Sequence, residues 1–124
     1  MNHKALFAAA LLPLLASTAW SADCTYPRAP AKLPDGNVAT IDEMKAAKTE
    51  VEAYNKTMDS YLECIKVAYD EDIAKQGSTL TEEQKAQRAT VHDQKNRAAS
   101  DEVQAVAAKF NEQVRAYRSK HPPK

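Results

Sequence analysis

The stretch that decides the fold is residues 40–78, Thr40-Ile41-Asp42-Glu43-Met44 through Gln76-Gly77-Ser78, or TIDEMKAAKTEVEAYNKTMDSYLECIKVAYDEDIAKQGS. It has no proline, and its first glycine is Gly77. Those two residues carry the largest helix penalties, so their absence from Ile41 to Gln76 favours one long helix. Its start is marked by a capping box. Thr40 accepts from an orphan amide of the first turn, and Glu43, three residues on, reaches back to the cap's own N–H. Inside the run, Met44, Val51, Met58 and Ile65 recur every seven residues, with Ala47, Tyr54, Tyr61 and Ala68 three further on. These are the a and d positions of a coiled-coil stripe, so the spacing predicts a helix over 41–76 with one apolar seam.

Working toward the C-terminus, Gly77-Ser78 is expected to stop that helix, and Thr81-Glu82-Glu83-Gln84 supplies a second capping box. The next helix is predicted over 81–119, ended by Pro122 and Pro123, with Arg115, Arg118 and Lys120 suited to the negative end of its dipole. Two helices of about 55 Å each, joined by so short a connection, must fold as an antiparallel hairpin. On the second helix Val103, Phe110 and Tyr117 repeat at seven with Val106, Ala107 and Val114 beside them, whereas the turn-proximal stripe reads Ala89, His92, Asn96 and Ala99. Packing should be strong at the open base and thin toward the turn. Folding about 78–79 sets Tyr54 against Val103, Val51 against Val106 and Ile65 against His92. The first helix is acid-rich and the second base-rich, which favours the pairing. The expected seam is thus Met44, Val51, Tyr54, Met58, Tyr61, Leu62 and Ile65 against Val103, Val106, Phe110, Val114 and Tyr117.

Working toward the N-terminus, residues 22–39 hold Pro27, Pro30 and Pro34 and end in Leu33-Pro34-Asp35-Gly36, where proline presets φ and glycine is expected to take a positive φ. This reads as an extended, polyproline-like arm. Residues 1–21 have the layout of a secretory signal peptide: Lys4, an apolar run from Ala5 to Ala16, and small residues at cleavage spacing in Ala19-Trp20-Ser21. The run is too short for a membrane span. Export is therefore expected, to the periplasm in the first place and to the exterior as the alternative. Residues 121–124 are expected to be a flexible tail.

Both cysteines, Cys24 and Cys64, would survive cleavage, and a pair of thiols in an exported chain favours a structural disulfide over free thiols or an intermolecular bridge. Cys64 lies about 36 Å along the helix from Thr40, and the polyproline-like arm can reach about 50 Å, so the arm can fold back and bring Tyr26 and Leu33 over apolar surface. The fold expected is all-α: a long antiparallel two-helix hairpin, coiled-coil-like, with a proline-rich N-terminal arm pinned back by a disulfide.

No constellation for catalysis emerges: there is no phosphate loop, no nucleophile elbow and no Cys-x-x-Cys, and only two glycines exist in the chain. The expectation is a non-enzymatic protein with no cofactor and no metal site, with a metal or small-ligand binder as a further alternative. His92 beside Asp93 reads as a polar packing residue, His121 as part of a frayed tail, and Met44 and Met58 as core filler rather than metal ligands. Asp70-Glu71-Asp72 with Glu82-Glu83 reads as a solvated acidic tip, and Pro27-Arg28-Ala29-Pro30 as extended chain. Without Lys4 the chain is close to charge balance, which argues against nucleic acid and anionic membrane as partners. Leu62, Tyr69 and Ile73 flank the seam, so spare apolar surface is expected for a protein partner, an unfolded client or a second copy in a homodimer.

Leu80-Thr81-Glu82-Glu83-Gln84 resembles the Leu-Thr-x-x-Gln signature of the small periplasmic helical-hairpin chaperones and stress sensors of the Spy and CpxP type. That resemblance implies an ATP-independent holdase, with Leu80, Thr81 and Gln84 as its motif residues. It covers five residues, and the family carries two such motifs where this chain has one. The wider layout, Cys24-Thr25-Tyr26-Pro27, then Leu33-Pro34-Asp35-Gly36, then Ala39-Thr40-Ile41-Asp42-Glu43-Met44, is similar to small uncharacterised exported proteins of Gram-negative bacteria, and implies no particular activity.

Overall fold

The computed structural model describes residues 23–123. The signal-peptide expectation for 1–21 and the last tail residue fall outside them. Two helices make up the regular structure of the described residues: α1, Ile41–Gln76, and α2, Glu82–Lys120. α1 starts at the expected residue, and α2 starts one residue later than the expected 81, with Thr81 as its N-cap. Thr40 accepts from the Glu43 amide while the Glu43 carboxylate takes the Thr40 N–H, and Thr81 and Gln84 do the same for α2. Each box satisfies two of the orphan donors at a helix start, and Asp42, Glu43, Glu82 and Glu83 place negative charge at the positive ends of the dipoles.

The α1 stripe becomes the core. Met44, Ala47, Val51, Tyr54, Met58, Tyr61 and Ile65 are buried, Met58 completely. From α2 only Ala99 and Val106 are buried, while Val103, Phe110, Val114 and Tyr117 are half-buried. A seam with just two helices leaves its flanks in contact with water, so the larger α2 side chains lean on the core instead of entering it. Ala99, read in the sequence as part of the thin stretch, is fully buried. Leu62, expected to be spare surface, is half-buried and packs against the same core.

The arm forms the third layer. Cys24 is bonded to Cys64, 40 residues on. Cys24, Ala29 and Leu33 pack against the core made by Val51, Tyr54, Met58, Tyr61, Ile65, Ala99 and Val106. Contacts reach both helices: the Tyr26 ring lies edge-on to Tyr61 of α1 at 4.9 Å, and the Gly36 N–H donates to Gln113 of α2 at 2.9 Å. The arm therefore lies over the furrow between the helices rather than along α1 alone.

Several expectations are corrected. Neither glycine has a positive φ. Gly77 is right-handed helical, its N–H still donating to Ile73, and the chain leaves α1 through a turn at 77–80 closed by the Thr79 and Leu80 amides on the Gln76 carbonyl. Gly36 is required for space: a Cβ there would lie 2.0 Å from the Gln113 carbonyl oxygen and 2.8 Å from the Tyr117 nitrogen. The charge asymmetry does little across the seam. Of the five ion pairs among the described residues, four join side chains three or four apart on one helix, and only Arg88–Asp72 bridges the two. Long charged side chains on a helix meet their own i+4 neighbours more readily than a partner across an apolar seam. His121, the first residue of the expected tail, is the C-cap of α2, its N–H donating to the Tyr117 carbonyl and its ring stacked on Tyr117 at 4.2 Å.

Candidate functional site

Among the described residues the arm covers the base half of the furrow, and the part beyond Asp23 and Cys24, toward the turn, is open. This groove, about 1050 Å³, has Tyr61, Ile65, Ala68 and Tyr69 of α1 along one side and Val91 and His92 of α2 along the other. Asp23 and Cys24 line its inner end, and Asp72 and Arg88 lie toward the turn. It exists because of sequence: toward the turn the stripe residues are small or polar, Ala68 on α1 and Ala89, His92 and Asn96 on α2, and cannot close the gap.

His92 has a defined place in it. Its ring stacks on Tyr69 at 4.6 Å, and the Asn96 side-chain amide lies 3.0 Å from its Nε2. Reading His92 as a polar packing residue agrees with this geometry. Tyr69, expected to flank the seam as spare surface, is half-buried and occupied by that stack. Val67 and Val91 are among the large apolar side chains that remain exposed, and Val91 lines the groove. Among the described residues no group of three or more His, Cys, Asp or Glu side chains is placed to hold a metal ion. No described helix is long and apolar enough to cross a membrane.

The Leu80-Gln84 motif is placed at the turn. Thr81 and Gln84 spend their side chains on the α2 cap, and the Leu80 N–H closes on Gln76. Gln84 also lines the groove, which gives it a second face beyond its cap.

Where the arm crosses α2, two phenols face one carboxylate. The Tyr26 hydroxyl donates to Glu102 Oε2 at 2.6 Å, and this bond, with partial burial and the Glu102 charge, pushes the Tyr26 phenol well above the ordinary tyrosine range. Tyr54 beneath it is also raised, by burial first and by Glu102 second, and among the described residues its hydroxyl has no partner within hydrogen-bond geometry. Glu102 and Gln113 are the α2 side chains that hydrogen-bond the arm, and neither stands out in the sequence. Their role depends on the register of the arm over α2, and no spacing rule carries that register. Glu102's place beside the seam residue Val103 is the one available hint.

No protein-family model, no curated protein and no solved structure matches this chain.

Proposed function

We propose that this chain is a non-enzymatic, exported protein of the cell envelope, resident in the periplasm, whose helical hairpin binds protein partners. The observation that carries this reading is the open groove between α1 and α2. Its floor is apolar and aromatic, and its rim carries both signs of charge from Glu71, Asp72, Lys75, Arg88 and Lys95. Such a surface suits polypeptide, with apolar side chains on the floor and polar backbone near the rim.

An unfolded client is the partner class favoured over a folded subunit. Half of the same furrow already holds an extended polypeptide, the chain's own arm. A holdase of the kind the Leu80-Gln84 resemblance implies would work in this way. The test is light scattering from a heat-unfolding client with and without the oxidised protein, in the absence of ATP. Suppression that rises with concentration up to equimolar supports the reading. Absence of suppression, together with a melting temperature that climbs with protein concentration, would assign the groove to self-association instead.

A further inference from the structure

The arm's seat is itself informative. Residues 23–34 run without helix or strand across a furrow floored by Tyr54, Met58 and Tyr61, which are at most 9% exposed beneath them. Among the described residues no backbone–backbone hydrogen bond ties that stretch to either helix. It is held by apolar contacts of Ala29 and Leu33, by the exposed Tyr26–Glu102 hydrogen bond and by the disulfide. A furrow that accepts extended chain through side-chain contacts alone, with one aromatic ring edge-on to Tyr61, does not depend on the detailed sequence of its occupant. The covalent bond is what makes the arm the permanent one, because it converts rebinding into an event of high effective concentration.

Resting on the reading of a polypeptide-binding hairpin, we infer that the seat of the arm is the main client groove and that the Cys24–Cys64 disulfide keeps it closed. A dithiol reductant frees the arm, and an extended, aromatic-bearing segment of an unfolded polypeptide takes its place. The chemistry is ordinary thiol–disulfide exchange. One thiolate of the dithiol attacks a sulfur of the Cys24–Cys64 bond, forming a mixed disulfide and releasing the other cysteine as thiolate. The second thiolate of the reductant then attacks the reductant's own sulfur in the mixed disulfide and expels the remaining cysteine as thiolate, so the dithiol leaves as a disulfide and two electrons and two protons end on Cys24 and Cys64. Access exists: both cysteines are only partly buried, and Cys24 lines the open groove, which gives an attacking thiolate a path to the bond. On release, the covered base of the furrow joins the open part toward the turn as one continuous trough.

The experiment compares the oxidised full chain with Cys24→Ser/Cys64→Ser, with no reductant present, as suppressors of heat-induced aggregation of citrate synthase. A closed groove lowers apparent affinity by the fraction of molecules that are open, so the double variant should reach half-suppression at a concentration about tenfold lower. Equal suppression by the two forms, or better suppression by the oxidised form, overturns the gate and leaves the polypeptide-binding reading standing. No suppression by either, with circular dichroism showing both helical, overturns both. If the double variant loses its helices, Tyr26→Ala/Leu33→Ala with the disulfide intact decides: stronger suppression than wild type supports a loosened arm as the opening step, and equality overturns it.

Discussion

Replacing both cysteines with alanine removes the clamp, and the structure sets the size of the effect. The bond closes a loop spanning a sequence separation of 40. In the chain-entropy treatment a loop of that length withholds roughly 13 cal/mol/K from the unfolded chain, or about 4 kcal/mol at 25 °C. A domain near 100 residues unfolds with an entropy of roughly 200 cal/mol/K, so the loss corresponds to a fall in melting temperature of about 20 °C. Set against a total stability of roughly 5–15 kcal/mol, that is a large share. The assay is urea unfolding followed by circular dichroism at 222 nm, which yields both the free energy and its slope with denaturant. If the arm also leaves its seat, the native state exposes more surface, less is newly exposed on unfolding, and the slope falls. A loss of under about 1 kcal/mol with an unchanged slope would refute the reasoning, because the arm would then hold its place by Tyr26, Ala29 and Leu33 alone.

Three further outcomes are expected. Gly36→Ala puts a Cβ 2.0 Å from the Gln113 carbonyl oxygen, so the arm must shift off α2, with a loss of about 1–3 kcal/mol in thermal unfolding and loss of the Tyr26–Tyr61 contact in NMR spectra. Met58→Ala empties the one completely buried large side chain among the described residues and should cost roughly 2–5 kcal/mol, whereas Val67→Ala on the exposed side of α1 should cost under about 0.5 kcal/mol. The Glu43 carboxylate is held below its usual 4.5 by the Thr40 backbone N–H first and the Thr40 hydroxyl second. Its folded value is the lower one, so its contribution is complete above pH 4.5 and is lost as pH falls through the folded value. Melting temperatures across that range should fall less steeply in Glu43→Gln, which keeps the cap hydrogen bond and does not titrate.

The helices were legible because their signals are local. Each capping box spans four residues, and the α1 stripe repeats within one turn pair. Seven of its eight predicted positions are buried, Ala68 being the half-buried one. The disulfide and the folded-back arm could be reached from two cysteines and the length of chain between them. What the sequence hid is tertiary register. That Tyr26 would meet Glu102, that Gly36 would be pressed against Gln113, and that Arg88 would find Asp72 across the turn all depend on how an extended strand lies over two helices. Periodicity is silent on that. Gly36 misled for a related reason: a proline-glycine turn suggests a need for positive φ, whereas the need here is for room beside a neighbouring backbone. The groove was half legible, since the thin stripe at Ala89, His92 and Asn96 indicated weak packing toward the turn. Its aromatic stack of Tyr69 on His92 was not visible.

The order of the cysteines along the chain has a kinetic consequence. Both precede Gln76, so the covalent loop is complete in a chain that has not yet used α2, although the furrow it encloses needs both helices. In refolding from denaturant, helix formation is a microsecond event, while air or glutathione oxidation takes seconds to hours. The hairpin should close first and the strap fasten last over a finished floor. A chain oxidised while still unfolded meets the reverse problem. Its tether to α1 is already fixed, and α2 must then dock beside a strand lying on either flank of α1, only one of which is the native side. Refolding from the oxidised unfolded state should therefore show a slow phase that refolding from the reduced state lacks.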